Sequence, residues 1–348
     1  MKKLLITLVL ACAVNAQAQV IEKIEPASWW IGMEMNTVEF MVYGKDISQL
    51  VAESTTLEVI KSEGLESPNY LFVTATVPVD AKVGNHTLVF RNTKGKKVGR
   101  LSVALGLRAD GSASRKGFSS ADFIYLLTPD RFRNGDASND RVKGMLEGPN
   151  REYIGGRHGG DLAGVIKSLD YFEKMGISSL WLNPVLENNM ETYSYHGYAM
   201  TDLYNVDPRY GTNEQYKELA DKAKEKGIGI IMDQVANHIG SLHPWMSDLP
   251  SDDWVNQWPE FTQTNHMKVS RFDPHAAEVD RKQFTDGWFV ETMPDLNQRN
   301  EKLARYLIQN SIWWVEYLGL HGIRMDTWSY PDKQFLADWT KAILKEYP

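Results

Sequence analysis

The chain has 348 residues, 43% hydrophobic and 24% charged, with a formal net charge of −7. That length and apolar share supply a sizeable core and more than one domain. The negative balance carries no basic stripe, which excludes an ordinary nucleic-acid binder.

Lys2 and Lys3, the apolar residues 4–14 and the small-x-small site Ala16-Gln17-Ala18 read as a secretory signal over residues 1–18. The apolar stretch is too short to span a bilayer, and no later one is long enough. The expected destination is the periplasm. Lipoprotein processing at Cys12 is the alternative, because Val9-Leu10-Ala11-Cys12 is a loose lipobox. Cys12 is the only cysteine, so a processed chain relies on its core rather than on disulfides.

Residues 19–108 alternate short β-branched runs with turns. Residues 37–43, 71–77 and 86–91 read as strands, and Gly44, Gly64, Gly84-Asn85 and Lys94-Gly95 as turns. This predicts an all-β sandwich. Residues 109–118, small and polar, read as a linker.

From residue 119 to 348 the pattern becomes strand, helix, strand. Strands are expected at 123–127, 177–182, 228–233 and 322–326. Helices are expected at 162–175, 212–226, 299–318 and 333–345, the first two closed by Gly176 and Gly227. The Trp- and Pro-rich residues 239–294 are too long for a loop and read as an insertion subdomain or lid. The expected fold is an all-β N-terminal sandwich followed by an incomplete (β/α) TIM-type barrel. It comprises the first four βα units, with the insertion after strand three. A closed barrel takes eight units and roughly 250 residues. The chain therefore reads as a fragment.

Two segments place polar groups where buried strands end. Asp233-x-x-x-Asn237-His238 crowds a carboxylate, an amide and an imidazole at one rim, although such residues also favour plain turns. In Gly322-x-Arg324-x-Asp326 the Arg and Asp fall on one strand face, where Arg324 would keep Asp326 ionised as a nucleophile must be. The competing reading is a structural ion pair. Tyr195-His196-Gly197-Tyr198 offers a donor and a ring face after strand two. Met293-Pro294-Asp295-Leu296-Asn297 reads alone as the lead-in to a helix. Residues 133–140 (RNGDASND) carry several oxygen-bearing side chains without EF-hand spacing, and Gly159-Gly160-Asp161 could return a carbonyl and a carboxylate to the same cation. A solvated turn is the simpler reading. The 11 Trp and 15 Tyr suit a core, and also sugar platforms.

Together and in this order, these motifs resemble the α-amylase superfamily, glycoside hydrolase family 13. Residues 176–185 (GISSLWLNPV) resemble its strand-two motif, and 233–238 and 322–326 its first two conserved regions. The β-domain and MPDLN at 293–297 resemble the neopullulanase and cyclomaltodextrinase branch. The resemblance covers the N-terminal half of the catalytic domain. It implies retaining cleavage of α-1,4 bonds in starch, maltodextrin, cyclodextrin or pullulan, with Asp326 as nucleophile and Arg324 holding it ionised. It places Asp233, His196, Tyr198 and His238 around the attacked glucose, with Tyr198 stacked on the ring. It also implies a structural Ca²⁺ on Asn134, Asp136, Asn139, Asp140, Gly159 and Asp161. Asn237 is given no calcium role. A homodimer through the N-terminal domain stays open.

The family's acid/base Glu lies on strand five, which has no counterpart here. Glu346 reads as a solvated helical carboxylate and is no substitute. The chain alone is therefore expected to be inactive. Two rival readings remain: a non-catalytic maltodextrin-binding remnant, and an α-glucan transglycosylase.

Overall fold

A computed structural model describes residues 21–348. The signal-peptide reading and Cys12 lie outside the described residues.

Eight strands come first: β1 (Ile21–Glu25), β2 (Ser28–Ile31), β3 (Thr37–Gly44), β4 (Val51–Glu53), β5 (Glu58–Glu63), β6 (Tyr70–Thr76), β7 (Gly84–Arg91) and β8 (Lys97–Leu107). They form two sheets, ordered β1-β3-β6-β5 and β2-β8-β7-β4. Alternation along the strands sends one set of side chains inward. Val38, Phe40, Leu71, Val73, Leu88, Phe90 and Val103 are fully buried between the sheets.

The second part carries β9 (Ile124–Leu127), α1 (Pro129–Phe132), α2 (Leu162–Ile166), α3 (Leu169–Lys174), β10 (Ser179–Leu182), α4 (Asn213–Glu225) and β11 (Gly229–Gln234). It continues with α5 (Val269–Phe272), α6 (Glu278–Asp286), α7 (Glu301–Leu318), β12 (Gly322–Met325) and α8 (Lys333–Glu346). Strands β9 to β12 form one parallel sheet in chain order. Helices cap where the side chains allow it. Thr212 and Gln215 make a reciprocal capping box on α4. The Asn300 side chain caps α7, and Gly319, at φ 69°, ends it.

Two expectations are corrected. The single helix at 162–175 is two helices, because Ser168 bonds back to the Gly164 carbonyl (2.8 Å) and Arg133 reaches in to the Lys167 carbonyl and the Ser168 hydroxyl. Glu346 is not solvated. It is 1% exposed, accepts from the Glu34 and Met35 backbone N–H groups (3.2 and 2.9 Å), and pairs with Arg108 at 2.7 Å.

Residues 109–118 are pinned in place. Arg108, Ser112 and Arg115 converge on the buried Glu316 of α7 at 3.0–3.3 Å, joined by the Tyr347 hydroxyl at 3.1 Å. The sandwich also docks on α7 through Gln309, which exchanges two hydrogen bonds with the Glu39 backbone (both 2.8 Å), and through Trp30 against Trp313. No helix among the described residues is long and apolar enough to cross a membrane.

Candidate active site

The sheet register builds the site. Trp181 lies opposite Ile231, and Asp233 opposite Arg324. Side chains two residues apart share a face. Trp181, Asp233, Arg324 and Asp326 therefore emerge on one face, at the carboxyl ends of β10, β11 and β12.

One guanidinium nitrogen joins the two carboxylates. Arg324 Nη1 donates to Asp233 Oδ1 (2.9 Å) and Oδ2 (3.1 Å), and to Asp326 Oδ1 (2.5 Å). Asp233 Oδ2 also accepts from the Trp181 indole (3.0 Å) and the Tyr198 hydroxyl (2.9 Å). The Asp233 side chain is fully buried. Burial pushes its carboxyl up, and the Arg324, Trp181 and Tyr198 donors pull it back. Burial works against the Arg324 charge, but Asp233 and Asp326 raise the guanidinium above its ordinary value. Arg324 also lies over the Trp181 ring, 5.2 Å from its centroid.

Asp233, expected to line the sugar, here accepts from Arg324, Trp181 and Tyr198. Its oxygens are taken, so it acts by holding Arg324 and Tyr198. Asp326 is different. It keeps 12% of its side chain exposed, and its Oδ2 accepts no hydrogen bond among the described residues.

Two imidazoles stand near the nucleophile candidate as neutral donors. His196 Nδ1 accepts from the Tyr198 backbone N–H at 3.0 Å, which leaves its proton on Nε2. Burial holds this ring's pKa down to about 4. His238 is 1% exposed and also sits at about 4, held down by burial while Asp326 pulls upward. Its Nδ1 accepts from Asn237 at 3.3 Å. Its Nε2 is buried without a well-formed hydrogen bond, and the Tyr198 backbone beside the ring pulls its pKa upward. Burial, then Asp233, raises the Tyr198 phenol, so it stays a donor.

The sequence did not single out the residues that brace this centre. Trp181 lies inside the strand-two motif, but only the strand register shows that it meets Asp233. Phe289 of the insertion stacks on His238 (5.3 Å, 23°) and packs on Tyr330. Tyr330 accepts from or donates to His266 at 3.0 Å. Residues 239–294 thus grip the loop after β12. Thr327, next to Asp326, holds φ 45° with a buried, unpartnered hydroxyl. For a β-branched residue this is strained backbone. Asp295 is no mere lead-in to a helix. Its carboxylate accepts from Asn237 (3.0 Å) and Asn256 (2.7 Å), and its backbone pairs with His238.

The oxygen-rich loop also converges. Asn134 donates to Asp140 (2.7 Å), and a Cβ on Gly159 would meet Asp140 Oδ1 at 2.6 Å. Asn139 Oδ1 is buried and unpartnered. Asp161 is occupied: its carboxylate accepts from the Gly135, Asp136 and Gly164 backbone N–H groups and from Asn139. These bonds brace the loop against the start of α2. Asp136 caps its own turn through Ser138 and is no part of the buried cluster. Among the described residues, no group of three or more His, Cys, Asp or Glu could hold a metal. Any fit rests on amide and carbonyl oxygens together with the single Asp140 carboxylate.

A parallel sheet with an Arg-clamped carboxylate at its carboxyl rim defines the class of β/α enzymes that gather chemistry at strand ends. The sequence matches the family described as "Alpha amylase, catalytic domain" over residues 123–341, and "Cyclomaltodextrinase, N-terminal" over 23–103. The chain belongs to the α-amylase family.

Among its relatives are the "Beta/alpha-amylase" of Paenibacillus polymyxa and the cyclomaltodextrinase of Thermoanaerobacter pseudethanolicus. The first is 33% identical over 64% of this chain and 18% of that protein. The second is 32% identical over 66% of this chain and 38% of that protein. The chain thus spans well under half the length of these curated relatives. Among solved structures, an Anoxybacillus alpha-amylase matches with a TM-score of 0.54, at 30% identity over 65% of this chain and 46% of its own. The Geobacillus thermoleovorans alpha-amylase complexed with acarbose matches with a TM-score of 0.51, at 33% identity over 64% and 44%.

Proposed function

We propose that these residues form the nucleophile side of a retaining α-glucan hydrolase acting on α-1,4 bonds in starch-derived oligosaccharides. The observation that carries this is the shared Arg324 nitrogen, which aims Asp326 while leaving its Oδ2 free. In this reading β9 to β12 are the first half of a (β/α) barrel whose inner face is the sugar site.

Asp326 Oδ2 attacks the anomeric carbon and forms a glycosyl ester as the glycosidic C–O bond breaks, the leaving oxygen taking a proton from a general acid that the described residues do not supply. Arg324 is a positioning residue, and Asp233 holds it. The neutral Nε2–H groups of His196 and His238 donate to hydroxyls of the attacked glucose, and the Tyr198 ring covers one face of it. Residues 1–18 would direct export to the periplasm.

A donor that needs no acid catalyst isolates this step. With α-maltosyl fluoride, Asp326 displaces fluoride and gains a maltosyl ester. Mass spectrometry of the quenched chain is expected to place the adduct on Asp326, with none in Asp326→Asn. An adduct elsewhere, or none with the wild-type chain, overturns the assignment. A non-catalytic maltodextrin-binding role is favoured by one observation: no second carboxyl group stands free beside Asp326 among the described residues. It predicts sugar binding without any adduct.

Asn134, Asn139, Asp140 and the Gly159 carbonyl fit a hard cation, as the orphaned Asn139 oxygen and the Gly159 close approach suggest. Bound there, Ca²⁺ would neutralise Asp140 and fasten the loop to α2, with no part in the chemistry. Free Ca²⁺ at a hundredfold excess over Kd should add about 2.7 kcal/mol, a Tm rise of a few degrees. Chelation should reverse the rise, and Asp140→Ala should abolish it. A Tm indifferent to Ca²⁺ removes the proposal.

A further inference from the structure

Helix α8 packs on α7 along one side, where the Trp339 indole donates to the Ser311 hydroxyl at 2.8 Å. The opposite flank of α8 is bare. Lys333, Ala337, Thr340, Lys341, Leu344 and Lys345 recur along it at helical spacing and line one groove. Phe272 of α5 and Trp328 of the loop after β12 form the other wall. Phe272, Leu344 and Trp328 are 73%, 59% and 48% exposed. Together they offer a contiguous apolar surface that nothing covers among the described residues, the mark of an interaction site.

Charge narrows what fits there. Arg271, Lys333, Lys341 and Lys345 line the groove, and no acid does. The side chains of Lys333, Lys341 and Lys345 join no ion pair or hydrogen bond among the described residues. Arg271 is spent on neutral groups: it donates to the Tyr330 and Pro331 carbonyls (3.3 and 2.7 Å). Burial pulls its guanidinium below the ordinary value, against the opposing pull of Asp332. A partly desolvated cation in this position gains from an anion brought beside it.

Shape supplies the rest. The stretch from Lys333 to Lys345 rises about 18 Å, a little over three turns. Ala337 and Thr340 keep its middle low, so that a second backbone can come close. A flat bilayer would ride over a trough walled by Phe272 and Trp328, whereas a helix would lie in it. Trp328 directly follows the strained Thr327 and lies two residues beyond Asp326. An occupant of the groove therefore bears on the loop that carries the Asp326 carboxylate.

We propose that this groove docks an amphipathic helix of a partner protein, apolar on the face toward Ala337 and Leu344 and carrying carboxylates opposite Lys333, Lys341 and Lys345. Seated against Trp328, that helix would hold the 326–330 loop in place. The docking surface goes beyond the α-glucan reading and stands without it.

Fluorescence anisotropy tests it, with the 348-residue chain and a fluorescein-labelled peptide of about 18 residues, long enough to hold a helix alone. The peptide carries Leu on one helical face and Glu on both flanks, and its twin carries Lys in place of Glu. The acidic peptide is expected to bind about tenfold or more tighter than its twin, and to weaken as salt rises. Lys341→Glu combined with Lys345→Glu should reverse that preference. Leu344→Asp should weaken the acidic peptide about tenfold. These three side chains are exposed, so the variants should keep the wild-type circular dichroism and urea midpoint. No binding of the acidic peptide overturns the proposal. Equal affinity for the two peptides also overturns it, as does a Leu344→Asp chain that binds like the wild type. Binding to phosphatidylglycerol vesicles without binding to the peptide overturns it in favour of a membrane-facing surface.

Discussion

Maltoheptaose is expected to survive incubation with the 348-residue chain. Retaining cleavage needs two carboxyl groups about 5–5.5 Å apart, one to attack and one to protonate the leaving oxygen. Asp326 can attack. Asp233 cannot serve as the acid, because its oxygens are filled by Arg324, Trp181 and Tyr198 and none of its side chain is exposed. Asp295 is 1% exposed and engaged by Asn237 and Asn256. Glu346 lies buried against Arg108 at the far end of α8. General acid catalysis contributes about 10²–10⁴ in rate, and an unactivated glucoside has no substitute for it. Reducing-sugar release should therefore stay at background while the fluoride donor still labels Asp326. Enzyme-like release that disappears in Asp326→Asn would mean that an unrecognised proton donor sits in the site.

Arg324→Leu is expected to destabilise the fold by about 3–5 kcal/mol, the usual cost of removing one partner from a buried ion pair. The substitution leaves the Asp233 carboxylate enclosed with only the Trp181 and Tyr198 donors. Asp326 loses the only hydrogen-bond donor its side chain has among the described residues. The urea midpoint should fall with little change in the slope of the transition. Arg324→Lys should recover part of the loss, since one ammonium supplies charge without the planar fork. Adding Asp233→Asn to Arg324→Leu should recover more than additivity allows, because the stranded charge is then gone. A loss under about 1 kcal/mol would place the pair with ordinary surface salt bridges.

The alternation of β-strand and helix patterns was legible from sequence because buried parallel strands leave unbroken apolar runs, such as the one before Asp233. The polar groups that end those runs were legible for the same reason. Contacts made across the chain were not. Ser168 breaks a helix whose local pattern is continuous, since Arg133 arrives from another segment. Edge strands such as β4 and β5 carry few buried side chains and have no periodic signature. That Asp233 meets Arg324 is visible only in the strand register. Glu346 reads as solvated because nothing local predicts that Arg108, more than two hundred positions earlier, folds back onto it.

That last contact has a consequence for how the molecule comes apart. Glu316 takes its counter-charges from Arg108 and Arg115, and Glu346 from Arg108, and both arginines lie where the sandwich gives way to the parallel sheet. Proteolysis between the two parts would strand two acids in an apolar interior. The halves are therefore not beads on a string. They should melt in one cooperative transition, and a trimmed catalytic piece should aggregate instead of standing alone.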